Sequence, residues 1–459
     1  MTSTIKVNTV TTESGSTLTL GGCGKTVALA SGASQTGFGR TGTVNWVTSV
    51  KTNSDSPLTV ESGKGYFLNT TSGTITVNLP AGSAGDIVAF KDYANTWDNN
   101  NVTVTPNGSD KIGGSNSNTV LSTESQSVTL IFTDSTRGWL DIHDSTSNVE
   151  GAKFITATGG TITTVCTNFK VHTFTGPGTF CVSCAGNAAG SNSVDYLVVA
   201  GGGAGGKAPT SNDGAGAGGG GGFRLSNSTS MPAPLTSPLA AASGQPVTAT
   251  GFPITVGAGA SAAPGRGDNG SDSIFSVITS AGGGGGGTFP DDGTVSKGRD
   301  GGSGGGGSGG NASGPTSVGG TGNTPPVSPP QGQSGGAGAT SPNFYGGGGG
   351  GAGGVGDPGD SPATDGGVGS FVVSAGFAGC NGTPGPVGSA RFFSGGGAGA
   401  PAPGRPTGKG GTGGAGGGGP SLGPTAGTVN TGGGGAGGRA GNSGEAGGSG
   451  IVIIRYKFQ

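Results

Sequence analysis

Short stretches in which apolar and polar residues alternate are the first pattern along this chain. In TITVNL (74–79), Ile75, Val77 and Leu79 fall on one face of an extended strand, and the polar residues fall on the other. Similar stretches recur as DIVAF, NVTVT, SVTLIFTD and GWLDIHD. Apolar residues nowhere repeat at helical spacing for a dozen positions. The pattern predicts an all-β protein whose residues 51–147 form a small antiparallel β-sandwich with Trp97 and Trp139 in its core.

The chain on either side of this predicted sandwich has a different character. Residues 1–50 contain strand-like pieces such as TIKV and STLTL, which are too short and polar to fold alone. We predict that they form anchoring or oligomerisation strands that need partner chains. From 201 to 450, glycine runs replace the alternating pattern, and the whole chain holds 112 glycines in 459 residues. An ordinary domain has roughly 7% glycine, so this part cannot be a conventional apolar core.

Two apolar strands bracket the glycine runs, YLVVA at 196–200 and IVIIRY at 451–456. We predict that they lie near one another in a sheet that closes the base of the glycine-rich part. The predicted domains are an N-terminal attachment segment at 1–50, a shaft domain at 51–147, and a glycine-rich distal domain at 148–459, with its β base formed by 148–200 and 451–459.

Ordered glycine segments need a source of stability other than side-chain burial. Each ordered glycine costs roughly 0.5–1 kcal/mol more backbone entropy than alanine. In an extended threefold helix the N–H and C=O groups project sideways, and the absence of Cβ atoms lets neighbouring chains approach and bond them. We therefore predict a lattice of packed polyglycine II helices. An ordinary β-sheet with glycine-lined packing and a flexible segment are the alternatives.

Charge and composition argue against several partners. The chain has 21 basic and 23 acidic residues, a net charge of −2. It therefore lacks the basic surface that nucleic acid or an anionic membrane requires. The N-terminus MTSTIKVNTVTTESG has no basic region followed by an apolar one, and no apolar run approaches the roughly 20 residues that span a bilayer. We predict assembly in a cytoplasm, release by lysis, and no cofactor.

The five cysteines do not form a recognisable framework. Cys181 and Cys184 make a CxxC without a second pair, which argues against a disulfide scaffold or a zinc site. Their three-residue spacing in the strand TFCVSC predicts thiols on opposite faces. The turn TGPGT predicts a hairpin that places Thr173 opposite Cys181 and Lys170 opposite Cys184.

Polar clusters give little support for catalysis. In WLDIHD, Asp141 and His143 fall on one strand face but lack an evident nucleophile or metal partner, so an exposed face is predicted. Loop carboxylates such as Asp291, Asp292 and Asp300 lack a nearby aromatic sugar platform. GRGDNGSD, which contains an Arg-Gly-Asp, is predicted to be a surface turn. We predict a protein that is not an enzyme.

The loops that interrupt the glycine runs carry the candidate binding residues. They bring aromatic and arginine side chains to the ends of rigid segments, which is typical of a recognition surface. The alternative is that Phe344, Tyr345, Phe392 and Phe393 only plug the ends of the lattice. The candidate receptor-contact residues are Phe223, Arg224, Phe289, Phe344, Tyr345, Arg391, Phe392 and Phe393.

Stretches along essentially the whole chain resemble a known group of proteins. They are STIKVNTVTTESGSTLTLGG, GKGYFLNTTSGTITVNLPAGSAGDIVAFKDYANTW, FTGPGTFCVS with SVDYLVVAGGGAGG, and GGSGIVIIRY. These stretches resemble the tail-fibre and related virion structural proteins of marine phages, especially cyanophages. The glycine-rich part also resembles the polyglycine-sandwich receptor-binding adhesins of enterobacterial phages.

The resemblance implies a virion protein that is anchored to tail or baseplate proteins by its N-terminus, with β domains as a shaft and distal loops that touch a host receptor. Such fibres are usually homotrimers, and a monomeric glycine domain is the alternative. We hypothesise an adhesin that recognises a host cell-surface glycan or an outer-membrane protein. The alternative is a purely structural virion component, such as a connector, a collar or a capsid-attached fibre. A glycan depolymerase is a third hypothesis.

Overall fold

A computed structural model of the chain contains two compact units, Met1–Val149 and Glu150–Gln459. We call them the N-terminal unit and the glycine-rich unit. Most of the predicted attachment segment, residues 1–43, lies outside the part that the structure describes. The described ranges are 44–145, 152–188, 190–209, 213–226, 237–289, 296–310, 317–340, 344–360, 364–402 and 413–459.

Two β-sheets and a 3-10 turn at Asn53–Asp55 form the described part of the N-terminal unit. The strands are β1 Asn45–Thr52, β2 Leu58–Thr59, β3 Lys64–Asn69, β4 Ile75–Asn78, β5 Ile87–Asp92, β6 Val102–Thr105, β7 Thr119–Leu121, β8 Ser127–Phe132 and β9 Trp139–Ser145. The first sheet has the order β1-β3-β5-β8-β9, and the second has the order β2-β4-β6-β7. The strand β1 crosses the boundary predicted at residue 50.

The chain alternates between the two sheets from β1 to β6 and returns to each sheet in the same direction. Consequently β1, β3 and β5 pair in parallel, as do β2, β4 and β6, while the later strands pair antiparallel. The predicted two-sheet sandwich is confirmed, but the prediction of wholly antiparallel pairing is wrong. Alternating patterns give the face of each residue and not the direction of the neighbouring strand.

One apolar core fills the space between these sheets. Ile75, Val77 and Leu79 are buried on one face of the chain, as predicted, and share their cluster with Trp97 and Trp139. Full burial of such large apolar side chains contributes about 1.5–3 kcal/mol each. All three tryptophans of the sequence precede residue 140, so tryptophan fluorescence reports on the N-terminal unit alone.

The glycine-rich unit contains three sheets in its described part. Its strands are β10 Ile155–Thr158, β11 Thr161–Val165, β12 Phe169–Phe174, β13 Gly178–Ala185, β14 Ser193–Val199, β15 Phe223–Ser226, β16 Ala240–Ala241, β17 Gln245–Pro246, β18 Gly251–Thr255, β19 Ser273–Phe275, β20 Ile278–Ser280, β21 Ser370–Val373, β22 Thr383–Pro384, β23 Ala390–Phe393 and β24 Ile451–Lys457. The sheets have the orders β11-β12-β24-β14-β15-β16, with β17 beside β14, then β10-β13-β18-β19-β20, and β21-β23-β22. A five-residue π-type turn, Ser374–Ala378, follows β21.

The C-terminal strand β24 lies in the middle of the first of these sheets, between β12 and β14. Tyr196 pairs with Ile454 and Val199 pairs with Ile451 in antiparallel register. The predicted proximity of 196–200 and 451–456 in one sheet is therefore confirmed, and the two strands pair directly. Side chains of β24 alternate between two separate apolar clusters, one on each face of the sheet. This burial on both faces explains why IVII at 451–454 is continuously apolar rather than alternating.

The predicted hairpin around TGPGT is wrong. β12 pairs with β11 and β24, whereas β13 pairs with β10 and β18 in another sheet. Thr173 and Lys170 therefore do not lie opposite Cys181 and Cys184 in a common sheet. The turn carries the chain from one sheet to the next, which a turn signal alone does not distinguish from a hairpin.

A β-bulge places both thiols of the CxxC on one face of β13. Cys181 lies opposite Thr158 and Cys184 lies opposite Thr156, so three residue steps in β13 match two in β10. Both cysteines are exposed and free. The prediction of opposite faces is wrong because the extra residue of the bulge reverses the alternation.

Residues 214–222 run through the centre of the glycine-rich unit, and all of them are buried. Each backbone N–H in this stretch donates to a neighbouring segment, and the neighbour repeats every third residue. Three residues per turn is the repeat of an extended threefold helix. The donor–acceptor pairs are Gly214–Phe344, Ala217–Gly347 and Gly220–Gly350; Ala215–Gly438, Gly218–Gly435 and Gly221–Gly432; and Gly216–Gly287, Gly219–Gly284 and Gly222–Ala281.

Carbonyl oxygens of the same stretch accept hydrogen bonds from three further segments, so six segments surround it. Each of the six also bonds to the next, and the ring closes where Gly435 donates to the Gly203 carbonyl oxygen (3.0 Å). The core of this part of the unit is therefore hydrogen-bonded backbone and not apolar side chains. In ring order the segments are 200–208, 281–287, 303–309, 344–352, 394–400 and 432–438.

Candidate functional site

The β-sheets adjoin one end of this lattice, which we call the base end. There Ala200 donates its N–H to the Gly222 carbonyl oxygen (3.1 Å), and Gly222 donates to the Ala281 carbonyl oxygen (2.7 Å). Ala200 directly follows β14, and Gly222 directly precedes β15. The strand β24 follows the last lattice residues, so the chain enters and leaves the lattice through the sheets.

At the opposite end, which we call the loop face, loops join successive lattice segments. Gly214 marks this level, because it donates to the Phe344 carbonyl oxygen (3.1 Å) and accepts from the Gly309 N–H (2.8 Å). Ala215 donates to the Gly438 carbonyl oxygen (3.2 Å) in the next layer. Described lattice segments reach this end at residues 208 and 214, 289 and 296, 310 and 317, 340 and 344, and 360 and 364.

Three of the predicted receptor-contact residues lie at the loop face. Phe289 and Phe344 are partly buried, and Tyr345 is 7% exposed. The Phe289 ring packs over Gly310, where an added Cβ would lie 2.3 Å from a ring carbon. Phe344 has a left-handed backbone conformation (φ 50°), and its carbonyl oxygen accepts the N–H at the start of the central segment. Phe289 and Phe344 are thus held by the lattice while part of each ring reaches the surface.

The other five candidates lie at the base end, in β15 and β23, and the structure does not join them to the loop-face residues. Phe223, Phe392 and Phe393 are at most 2% exposed. The expectation of an exposed side chain is wrong for these three and for Tyr345. Phe223 and Phe393 fill the space between the lattice and the sheets, in one cluster with strand residues. This burial favours the alternative that such rings plug the lattice ends.

Of the two arginines among these five, Arg391 is hydrogen-bonded to a neighbouring loop and Arg224 is partly buried. Arg391 donates from Nε to the Asn381 carbonyl oxygen (3.0 Å) and from Nη2 to those of Cys380 (2.7 Å) and Gly382 (2.6 Å). Its guanidinium therefore holds one tight loop together. Arg224 is partly buried in β15.

The Arg-Gly-Asp stretch lies at the surface, as predicted, with a bend at 264–266 and exposed side chains at Asp268 and Asn269, and its backbone is also part of the lattice. Gly267 is buried, and its N–H donates to the Gly286 carbonyl oxygen (2.9 Å). Its carbonyl oxygen accepts from Nε of Arg299 (2.9 Å). Because Gly270 also bonds the segment 281–287, residues 267–270 form an outer row of the lattice.

A charged cluster beside this row was missed by sequence reasoning. Nη2 of Arg299 lies 3.3 Å from a carboxylate oxygen of Asp268, and Nζ of Lys297 lies 3.4 Å from one of Asp300. Arg266 adjoins both pairs and feels the charges of Arg299 and Asp300. The signal in the sequence is two arginines some thirty positions apart, which only the lattice register brings together.

The WLDIHD cluster is exposed, as predicted, but it is not on a single face. A bulge pairs Asp141 with Leu130 and His143 with Thr129, so the two polar side chains point to opposite sides of the sheet. This separation removes the geometry that a catalytic pair would need.

Of the three loop carboxylates considered for catalysis, one lies within the described part of the chain. Asp291 and Asp292 lie outside it, and Asp300 accepts the Thr321 N–H (2.7 Å) in addition to its lysine contact. Among the described residues, His, Cys, Asp and Glu side chains nowhere form a group of three or more that could hold a metal ion. The described residues also include no helix with the length and apolar character needed to cross a membrane.

Two family matches cover most of the sequence. Residues 174–457, more than half of the chain, match the family described as "Glycine-rich domain". Residues 4–141 match the family described as "Bacteriophage T4 gp9/10-like protein, N-terminal". The first match coincides with most of the glycine-rich unit, and the second falls within the N-terminal unit.

A similar curated protein is the baseplate wedge protein gp10 of Enterobacteria phage T4. It is 43% identical to this chain over 61 residues, which are 13% of this chain and 10% of that protein. The similarity thus spans about a tenth of the relative's length.

Proposed function

From the premise that the chain belongs to the glycine-rich domain family, we propose that it is a phage virion protein that attaches the particle to a host cell without catalysis. The family matches and the similar baseplate protein support a structural protein of the phage tail or baseplate type. In the proposal, the N-terminal unit binds other tail or baseplate proteins. The loop face of the glycine-rich unit contacts a cell-surface glycan or an outer-membrane protein.

The placement of loops relative to the sheets carries this proposal. The chain enters the glycine-rich unit through β10 to β14 and leaves it through β24, all at the base end. At the opposite end the described turn at 439–442 reverses the chain, and further lattice segments reach that end. Loops held at the free end of a rigid scaffold are well placed for recognition, because their sequences can vary without disturbing the core.

We propose that the lattice segments are polyglycine II helices, which would make the scaffold rigid. The threefold repeat of hydrogen-bond partners along 214–222 supports this conformation. At about 3.1 Å per residue, a nine-residue segment such as 200–208 separates the two ends by roughly 25 Å. A lattice of this kind keeps the loops at a fixed distance from the sheets.

The finer parts of the proposal concern the kind of particle and the contacts. We propose a tail-fibre position on a cyanophage-like virion, a homotrimeric state, and receptor contact through Phe289 and Phe344. Of the eight candidates, these two combine a loop-face position with partial exposure. Arg224 and Arg391 lie at the base end, and the remaining four side chains are buried.

A second candidate function is a purely structural virion component without receptor contact, such as a connector or collar. The burial of Phe223, Tyr345, Phe392 and Phe393 favours it, because these rings stabilise the unit instead of facing a partner. Immunogold labelling of intact particles separates the two functions. Label at the free tips of fibres supports the adhesin, and label confined to the neck or capsid supports the structural component.

Competition for adsorption tests the adhesin directly. Purified full-length chain is incubated with susceptible cells before phage is added, and free phage is counted over time. We expect the protein to slow adsorption in a concentration-dependent way. A saturating amount of folded protein that leaves adsorption unchanged would count against receptor binding.

The matched variant for this experiment is Phe289→Ser with Phe344→Ser, compared with Val277→Ser. Val277 is 79% exposed in the turn between β19 and β20, at the base end. We expect the loop-face double variant to lose most of its blocking activity and the Val277 variant to keep it. Equal activity of both variants would remove these two rings from the contact surface.

A further inference from the structure

Arg266 and Phe289 lie on two segments that Lys207 links at the edge of the loop face. It follows Gly265, whose carbonyl oxygen accepts the Lys207 N–H (2.8 Å). The Lys207 carbonyl oxygen in turn accepts the Thr288 hydroxyl (2.6 Å), and Thr288 precedes Phe289. The backbone of Lys207 therefore links two loop-face segments. One of them carries the Arg266 guanidinium, and the other carries the partly exposed Phe289.

The positive charge of Arg266 is not balanced within the described part of the chain. The side chain is partly buried, and its buried Nε has no hydrogen-bond partner there. The nearby carboxylates are engaged elsewhere, Asp268 by Arg299 and Asp300 by Lys297. Burial lowers the pKa of Arg266, the charge of Arg299 lowers it further, and Asp300 opposes both. An arginine stays protonated under such conditions, so a cation is held partly desolvated without a hydrogen-bonded anion among the described residues.

A partly desolvated guanidinium that has no hydrogen-bond acceptor among the described residues has the chemistry of an anion site. Its planar fork can donate two parallel hydrogen bonds to a carboxylate, a sulfate or a phosphate. Phe289, on the segment that Lys207 links to the Arg266 segment, offers an apolar ring on which the C–H groups of a sugar can pack. We propose that Arg266 binds an anionic group of an acidic saccharide at the side of the loop face.

The saccharide part of this proposal rests on the proposed function, because it takes a host-surface glycan as the ligand. The anion site itself rests only on the geometry around Arg266. Non-specific attraction is a weak explanation for any binding of polyanions, because the whole chain has a net charge of −2.

Titration calorimetry of the purified full-length chain tests the site. The probes are polygalacturonate, dextran sulfate, neutral dextran and polyglutamate, at low ionic strength. We expect both acidic polysaccharides to bind, and neutral dextran and polyglutamate to bind at least about tenfold more weakly, which corresponds to about 1.4 kcal/mol. Arg266→Gln should weaken binding of both acidic polysaccharides at least about tenfold, because it removes the charge-assisted bonds.

Arg137→Gln is the matched control, since it removes one exposed arginine from the N-terminal unit. We expect its affinities to stay within about twofold of the wild-type values. Arg266→Lys keeps the charge but loses the planar fork, so it should give an intermediate affinity, and it serves as the test variant if Arg266→Gln does not fold.

Three outcomes would overturn the proposal. The first is that folded Arg266→Gln, or Arg266→Lys in its place, binds both acidic polysaccharides as the wild type does. The second is that polyglutamate binds as tightly as the polysaccharides, which would overturn the saccharide assignment. The third is that no polyanion binds. If the protein does not slow phage adsorption but still binds the acidic polysaccharides, the result counts against the adhesin function. The proposed anion site is then still supported.

Discussion

Gly218 faces the carbonyl oxygen of Gly203 so closely that a Cβ on Gly218 would lie 2.0 Å from that oxygen. Folded proteins do not sustain a contact this short, so a side chain here requires the backbone to move. Movement is costly because the Gly218 N–H donates to the Gly435 carbonyl oxygen (2.9 Å) and the Gly203 N–H donates to the Gly219 carbonyl oxygen (2.9 Å). The lattice thus demands glycine at this position for packing reasons.

Gly218→Ala should therefore destabilise the glycine-rich unit by about 3 kcal/mol, the upper part of the range for overpacking. At a site without such a contact, the same substitution stabilises a protein by about 0.4–1 kcal/mol through the unfolded state. Differential scanning calorimetry measures the effect as a lower melting temperature of this unit. The tryptophan fluorescence transition, which reports on the N-terminal unit, should stay unchanged.

Ala217→Gly is the matched control, one residue away in the same buried stretch. It removes a methyl group and adds backbone freedom, so we expect a loss of about 1 kcal/mol. If Gly218→Ala proves neutral or stabilising, the close packing of the central segment is refuted.

His172 supplies a prediction about pH. Its side chain is fully buried, with Nδ1 2.7 Å from the Gly159 carbonyl oxygen and Nε2 3.2 Å from the Tyr456 hydroxyl. A carbonyl oxygen can only accept, so Nδ1 carries the proton and Nε2 accepts from the hydroxyl. Burial lowers the pKa of His172 below its ordinary value of 6.5, the bond to Gly159 raises it, and the positive charge of Lys170 lowers it.

The sign of the pH dependence follows from this lowered pKa. Below pH 6.5 the unfolded chain binds a proton at His172 that the folded chain resists. The stability of the glycine-rich unit should therefore fall as the pH drops from 6.5 to the folded pKa, by at most about 1.4 kcal/mol per pH unit. Calorimetry between pH 7.5 and 5 checks it, with pH values set in steps of about half a unit.

Two variants test whether His172 causes this pH dependence of stability. His172→Gln should remove this part of the pH dependence. His143→Gln, which changes an exposed side chain in the other unit, should retain it. A pH profile of the His172 variant that matches the wild type would assign the effect to other groups.

The positions and buried faces of the strands were more predictable from the sequence than the direction of the neighbouring strands in each sheet. The alternation in TITVNL predicted the buried face of β4, and the apolar runs predicted that 196–200 and 451–456 lie near one another in a sheet. The parallel pairs of the N-terminal unit and the bulge next to Cys184 were not predictable, because alternation carries no information on strand direction and fails at an inserted residue.

The candidate site was less predictable than the fold. Aromatic residues in glycine-rich surroundings were expected at exposed loops, yet Phe223 and Phe393 are core residues where the lattice meets the sheets. A phenylalanine next to a run of glycines gives the same sequence pattern at the loop face and at the base end, so the pattern does not predict at which end the ring lies. Only the hydrogen-bond register separates Phe289 at the loop face from Phe393 at the base end.

The buried ion pair between Asp195 and Arg455 gives a further prediction. Nη2 of Arg455 lies 2.6 Å from an Asp195 carboxylate oxygen, with both side chains at most 5% exposed. The guanidinium also lies between the rings of Phe169 (5.1 Å) and Phe377 (4.8 Å). Arg455→Met should cost about 3–5 kcal/mol in the glycine-rich unit, because it leaves a buried carboxylate without its partner.

The double variant Asp195→Leu with Arg455→Met should recover most of that loss, because no unpaired charge remains. Lys64→Met, which breaks the exposed Glu61–Lys64 pair (2.8 Å) in the N-terminal unit, is the control and should change stability little. Calorimetry of the four proteins forms the test. A double variant no more stable than Arg455→Met would mean that the charge imbalance is not the cause.

Phe289 and Arg391 should separate recognition from stability, since they lie at opposite ends of the lattice. Arg391 bonds three successive carbonyl oxygens at the base end, so Arg391→Ala should lower the melting temperature of the glycine-rich unit by the equivalent of about 2–3 kcal/mol. At temperatures where it is folded, this variant should block phage adsorption as well as the wild type does.

Phe289→Ala should behave in the opposite way, losing blocking activity with a smaller change in melting temperature, because its ring is partly exposed over Gly310. Both variants are measured by calorimetry and by competition for adsorption, with the amount of folded protein matched. If Arg391→Ala loses blocking activity while folded and Phe289→Ala keeps it, the contact surface lies at the base end and the loop face is not the site of recognition.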